Sequence, residues 1–188
     1  MEIILASQSP RRQELIKLLG RPFRVQVADI DETMDPKKPV YDEVARVSLR
    51  KARAVRTAGT VVVAADTVVV CDGKVLGKPV DREDAFRMLS MLSGRTHQVM
   101  TGLSVVTDTQ EISVTEVTDV TFRKLTDREI WTYIETDEPM DKAGSYGIQS
   151  GGALFVEKIC GDYFNVVGLP VCRLGQIIGV VAPMEDKA

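Results

Sequence analysis

The run Val61-Val62-Val63-Ala64-Ala65-Asp66-Thr67-Val68-Val69-Val70-Cys71 constrains the fold of this chain more than any other stretch. Its residues are mostly β-branched, and it lies between Gly59 and Asp72-Gly73, which predicts one or two consecutive buried strands rather than a helix. One carboxylate and one hydroxyl interrupt it. An ionised aspartate buried without a partner is costly, so Asp66 is expected to face a cation, a metal or a set of donors. The structural alternative is an aspartate on an exposed bulge, or one satisfied by backbone N–H groups.

Around this run the chain alternates strand and helix signals. Ile3-Ile4-Leu5-Ala6 reads as a strand, and Ser9-Pro10 as an N-cap with proline at the first helical position. Leu15, Leu18 and Leu19 then give the helix a buried stripe, and Gly20 stops it. Ser7, Ser9, Arg11 and Arg12 therefore cluster at a strand-to-helix turn, where free N–H groups favour an anion and two arginines suggest phosphate. Two solvated arginines are the plain alternative. Phe23, Val25 and Val27 alternate as a strand that runs into Asp29, Asp31 and Glu32, acids well placed for a site. Tyr41 to Thr57 has helical spacing, and its Arg46, Arg50, Lys51, Arg53 and Arg56 read as a solvated face.

Asp72-Gly73 signals a two-residue hairpin that folds Lys74-Val75-Leu76 back beside the central run and lands Lys78 near Asp66. Asp81 caps a helix carrying Ala85, Met88, Leu89 and Leu92. Gln98 to Val106 and Ile112 to Phe122 read as two long strands, and His97, the only histidine, as a structural residue. Thr126-Asp127-Arg128-Glu129 is a capping box. The segment from Lys142 to Gly152 places four glycines among polar groups, a composition suited to a loop whose backbone approaches a ligand. Ala153 to Cys160 reads as a strand, Gly161 to Asn165 as a loop, and Leu169-Pro170 as the start of a last helix.

At 188 residues with 44% hydrophobic and 27% charged residues, the chain suits one ordinary globular domain over 1–188. No apolar run reaches the roughly 18 residues of a membrane span, and the amino end lacks the basic and long apolar parts of an export signal, so a cytoplasmic protein without membrane contact is expected. A net charge of −3 argues against a dedicated nucleic-acid binder. Cys71, Cys160 and Cys172 are widely spaced beside apolar neighbours and are expected to be reduced core thiols. No Gly-x-x-x-x-Gly-Lys-Ser/Thr occurs, which excludes a P-loop.

The unusual segments fall into one family pattern. Leu5-Ala6-Ser7-Gln8-Ser9-Pro10-Arg11-Arg12, Ala65-Asp66-Thr67-Val68-Val69, Gly77-Lys78-Pro79, Ser93-Gly94-Arg95-Thr96-His97, Lys142-Ala143-Gly144-Ser145-Tyr146-Gly147-Ile148-Gln149 and Asn165-Val166-Val167-Gly168-Leu169-Pro170 together resemble the Maf family. The resemblance covers nearly the whole chain, with Ala64 where the family often has glycine. It implies a mixed, twisted α/β sheet with flanking helices and a central cleft between two lobes, as in inosine triphosphate pyrophosphatases. It implies a house-cleaning nucleoside triphosphate pyrophosphatase, a homodimer that uses a divalent cation. Arg11, Thr67 and Gln149 look like the branch acting on dTTP and UTP rather than the one acting on 7-methyl-GTP. By the same resemblance Asp66 would be the proton acceptor, while Ser7, Arg12, Glu32 and Lys78 would belong to the phosphate and metal site.

The residue chemistry is consistent with those expectations. Arg11, Arg12 and Lys78 can hold phosphates, and with one histidine and no paired cysteines any metal must be a hard one, Mg²⁺ or Mn²⁺ on Glu32 and Asp66. Gln149 offers a carbonyl and an NH₂, the complement of N3–H and O4 on uracil or thymine. The other readings are a 7-methyl-GTP pyrophosphatase and a non-catalytic nucleotide binder acting as an inhibitor of septum formation.

Overall fold

A computed structural model describes residues 1–183; residues 184–188 of the expected single domain lie outside the described residues. The described chain is mixed α/β. Its strands are β1 (Glu2–Leu5), β2 (Phe23–Val25), β3 (Thr60–Cys71), β4 (Lys74–Leu76), β5 (Thr96–Val106), β6 (Glu111–Phe122) and β7 (Val156–Cys160). Its helices are α1 (Pro10–Ile16), α2 (Val40–Ala54), α3 (Arg82–Leu92), α4 (Asp127–Ile134), α5 (Tyr163–Val167) and α6 (Val171–Val181). They fall into two compact units, the first of residues 1–66, 101–116 and 168 onward, the second of residues 67–100 and 117–167. β3, β5 and β6 each give a stretch to both units, and the division of β3 falls between Asp66 and Thr67.

In the first unit the strand order is β2-β1-β3-β5-β6. β1 is parallel to both neighbours, with Leu5 opposite Val25 on one side and Val63 on the other. Ile3, Ile4 and Leu5 are fully buried, as expected of a parallel strand covered on both faces. α2 lays Val44, Val47, Ser48 and Ala52 inward, and Ala52 joins Ile4, Ala6, Val55, Val62, Ala64 and Val106 in one apolar cluster. Its approach to β5 is set by Gly102. A methyl group there would lie 2.5 Å from the Val44 carbonyl carbon and 2.8 Å from the Ala45 nitrogen, and closer still to the Val44 oxygen. Beside that contact the hydroxyls of Ser48, Ser104 and Ser113 form a chain with links of 2.6 and 2.9 Å, ending on the Ala45 carbonyl. Helix meets sheet here backbone to backbone.

The Ser9 cap, Pro10 and the left-handed Gly20 at φ 63° are as expected, but the buried stripe of this segment is not. α1 ends at Ile16 and tightens into a 3₁₀ turn over Lys17–Leu19, so Leu15 and Ile16 face inward and Leu18 is 64% exposed. Three residues per turn instead of 3.6 rotates Leu18 out.

In the second unit β4 folds back on β3 through Asp72-Gly73, with Val69 opposite Leu76 and Cys71 opposite Lys74. Asp81 accepts the Asp84 N–H at 2.7 Å and starts α3, and Thr126 and Glu129 complete the capping box of α4. α3 and α4 pack together through the stacked rings of Phe86 and Trp131, 4.8 Å apart. Two expectations change here. Gly151–Phe155 is a 3₁₀ turn and only Val156–Cys160 is strand, while the expected loop after Gly161 contains α5, begun by Asp162 accepting the Phe164 N–H at 2.7 Å. At α5 the Asp162 side chain decides the change, a local cap that hydrophobic pattern does not show. All three cysteines are free, but only Cys71 is buried; Cys160 and Cys172 are exposed, which corrects the expectation of core thiols.

His97 is structural. It is buried among Phe122 and Tyr146, its Nε2 lies 2.8 Å from the Tyr146 hydroxyl, and its Nδ1 has no partner among the described residues. Burial lowers its pKa from 6.5 to about 4, with Asp119 opposing. The native state thus binds fewer protons than the unfolded chain across that window, so the contribution is whole above pH 6.5 and is lost as pH falls towards 4. His97→Gln should remove up to about 3 kcal/mol of pH dependence from urea unfolding over that range. At the helix contact, Gly102→Ala should destabilise by about 1–3 kcal/mol. Gly175→Ala in α6, where an added methyl meets nothing within 4 Å, should stabilise by about 0.5–1 kcal/mol in the same assay.

Candidate active site

β1 and β3 leave their paired register at Leu5 and Val63, pointing the same way. Ser7 follows two residues after Leu5, Asp66 three residues after Val63, and the chain leaving parallel β2 reaches Glu32. The carboxyl ends of parallel strands are where open α/β sheets gather ligands.

Lys51 of α2 completes the group. Its ammonium donates to Asp66 Oδ1 at 2.7 Å and to Glu32 Oε2 at 2.8 Å. The Lys51 and Asp66 side chains are 9% and 13% exposed and Glu32 is 55% exposed, so the bridge runs from the covered strand to the solvent-facing loop. This overturns the expected solvated face for Lys51. Lys51 stands four residues after Val47 and seven after Val44, on the inward stripe of α2, a helical period that could have singled it out. Arg46, Arg53 and Arg56 do lie outward, tied to Glu43, Glu111 and the Asp108 carbonyl.

The arginine turn sits by the same acids. Arg12 Nε donates to the Gly168 carbonyl at 2.8 Å and its Nη1 to Ser7 Oγ at 3.4 Å; Ser7 Oγ also accepts the Ser9 N–H at 3.2 Å. Burial lowers the Arg12 pKa, Asp66 raises it, Arg11 lowers it further and Glu32 raises it, which places these three charges within electrostatic reach of Arg12. α1 has only seven residues, and Ser9 Oγ accepts its Arg12 N–H, so the guanidinium groups rather than a helix dipole dominate the attraction for an anion.

A second clamp holds the Glu32 loop. Glu43, buried on α2, takes both Nε and Nη2 of Arg46 at 2.9 and 2.7 Å and the Asp35 N–H at 2.7 Å, while Arg46 Nη2 also donates to the Thr33 carbonyl at 2.9 Å. Arg46 and the Asp35 N–H hold the Glu43 carboxyl at about 2. Sequence reading did not single out this pair.

Of the expected residues, the first unit thus gathers Ser7, Arg11, Arg12, Glu32 and Asp66. Thr67, Lys78 and Gln149 belong to the second unit. There Gly77, beside Lys78, accepts the Gly144 N–H at 3.0 Å, and Gln149 is exposed on the turn over residues 148–150.

A hard divalent cation takes one or two carboxylates from a protein and its other oxygens from substrate phosphates and water. Glu32 and Asp66, already sharing one cation, fit that role. Among the described residues no group of three or more His, Cys, Asp or Glu side chains could hold a metal by itself.

A family model described as Maf-like protein matches residues 2–180. The chain is 51% identical over 179 residues to a dTTP/UTP pyrophosphatase of Symbiobacterium thermophilum, covering 94% of this chain and 92% of that protein. It is 48% identical over 179 residues to a dTTP/UTP pyrophosphatase of Bacillus pumilus, covering 94% and 95%. Among solved structures, a HAM1 protein from Coxiella burnetii has a similar fold, with a TM-score of 0.51 at 15% identity over 95% of this chain and 98% of that one.

Replacing Lys51 by Met leaves two acids facing each other with their shared cation gone. The variant should lose about 1–3 kcal/mol in urea unfolding while keeping its far-UV circular dichroism. Equal stability of the two proteins would contradict the bridge.

Proposed function

Since this chain belongs to the Maf family, we propose that it is a nucleoside triphosphate pyrophosphatase that hydrolyses dTTP and UTP to the monophosphate and pyrophosphate, a house-cleaning role in the nucleotide pool. The observation that carries the reading is the Lys51 bridge between Asp66 and Glu32, with Arg12 coupled to both acids. Hydrolysis of a phosphoanhydride needs a neutralised polyanion, a water in line with phosphorus, and a group to take its proton.

Each task has a residue in this reading. Arg11 and Arg12 grip phosphate oxygens, with Ser7 orienting the Arg12 guanidinium, and Lys78 adds an exposed cation. Asp66 takes the proton of the attacking water as its oxygen bonds to the α-phosphorus. The bond from that phosphorus to the bridging oxygen breaks, and pyrophosphate leaves with the electron pair. Lys51 holds the Asp66 side chain against rotation. A divalent cation, Mg²⁺ or Mn²⁺, held by Glu32 and Asp66, supplies charge neutralisation on the phosphates when bound. Thr67 and Gln149 choose the base, Gln149 by donating to O4 and accepting from N3–H. The family reading also carries a homodimer working in the cytoplasm; among the described residues no helix is long and apolar enough to cross a membrane.

In a panel of nucleoside triphosphates assayed for pyrophosphate release, UTP and dTTP should be the preferred substrates and a chelator should abolish turnover. Asp66→Asn should reduce UTP turnover by about 10²–10⁴-fold with circular dichroism unchanged. Undiminished turnover in that variant would remove Asp66 as the base.

A further inference from the structure

The turn that carries Gln149 is tied down at both ends by two side chains to which no role has yet been given. Tyr133, on α4, accepts the Gly147 N–H at 3.0 Å through its hydroxyl and donates that hydroxyl proton to Glu138 Oε1 at 2.6 Å. The same Glu138 oxygen accepts the Ser150 hydroxyl, and its other oxygen accepts the Gly151 N–H at 3.2 Å. One end of the turn is therefore held by the phenol, the other by the carboxylate, and the two holders are bonded to each other. Ile148, next to Gln149, is buried and Gln149 itself is exposed.

The surrounding backbone admits little else. A methyl group at Gly147 would lie 2.7 Å from Lys142 Cε and 3.0 Å from Glu138 Oε1, and one at Gly151 would lie 2.9 Å from the Tyr133 ring. At Gly152 it would lie 2.7 Å from the Gly147 carbonyl oxygen. Three glycines let the loop close onto its clip. The Tyr133 ring is fixed in turn against Phe155, edge to face at 5.1 Å. Burial, then Glu138, raises the Tyr133 pKa, which keeps the phenol protonated as the donor that the geometry requires.

We propose that Tyr133 and Glu138 are positioning residues for base discrimination, clipping both ends of the 147–151 turn so that Gln149 presents its amide in one place. The proposal rests on the reading that Gln149 meets the base. A glutamine amide meets the reversed donor–acceptor edge of cytosine only after turning over, so the base it favours depends on where the backbone beneath it places the amide against its surroundings. Polar selectivity of this kind comes from groups fixed before the ligand arrives.

The test compares Tyr133→Phe, Glu138→Gln and Gln149→Ala, singly and with Gln149→Ala added to each, in steady-state hydrolysis of UTP and CTP. Amide hydrogen exchange over residues 147–151 is measured alongside. Glu138→Gln keeps the size of the side chain, but whichever way its amide lies an NH₂ replaces one accepting oxygen, so it tests the clip even if Tyr133→Phe fails to fold. Both clip variants should lower the UTP-over-CTP ratio of kcat/KM about tenfold. The loss should fall mainly on KM for UTP, with faster exchange in the turn and little further loss when Gln149→Ala is added. A ratio unchanged in the clip variants but reduced by Gln149→Ala overturns the clip and leaves base reading intact. A ratio unchanged in Gln149→Ala overturns the base reading, and the clip proposal with it.

Discussion

One ammonium group ties two acids of this protein together. Lys51 stands between Asp66 on the central strand and Glu32 on the loop after β2, and without it two carboxylates would repel each other at the edge of an apolar core. With it, and with Arg11 and Arg12 alongside, the cluster carries three formal positive charges against two negative ones. That excess suits a triphosphate. A partly covered ion group of this kind is poor evidence for stability, because desolvation opposes attraction. Its value lies in holding charges where a reaction needs them.

The rest of the first unit serves to place that ammonium. Lys51 is carried by α2, and α2 is seated by contacts too close to adjust: Gly102 beneath Val44, the serine chain on the Ala45 carbonyl, and the apolar cluster around Ala52. At the other end of the same helix, Glu43 and Arg46 grip the loop that carries Glu32. One helix thus positions the cation directly and one of its two acids through the backbone. The second unit shows the same logic on a smaller scale, where Tyr133 and Glu138 hold a glycine-rich turn by its backbone N–H groups. In both units an exposed side chain, Glu32 in one and Gln149 in the other, stands on a segment whose backbone is tied by polar side chains.

Much of this was legible because it is written locally. The central strand, the Asp-Gly hairpin, the Ser9-Pro10 start and the Thr126 capping box each depend on neighbours in sequence, and an acid inside a valine run announces itself. Lys51 is hidden by its company: three other basic residues share its helix and Arg56 follows just beyond it, and a solvated face suits Arg46, Arg53 and Arg56. Its place on the Val44-Val47 stripe carried the opposite message. Leu18 escapes its predicted stripe because apolar spacing cannot show where an α-helix tightens into a 3₁₀ turn. The exposure of Cys160 and Cys172 and the clip around Gln149 depend on what the chain brings together across long separations, which spacing along one segment does not contain.

The central claim is that this charge cluster directs a water to the α-phosphorus. Hydrolysis of UTP in ¹⁸O-enriched water, followed by mass spectrometry of both products, tests it most directly. The account predicts one ¹⁸O atom in the nucleoside monophosphate and none in pyrophosphate. Label in pyrophosphate, with none in the monophosphate, would mean that water attacks the β-phosphorus, and would contradict the mechanism.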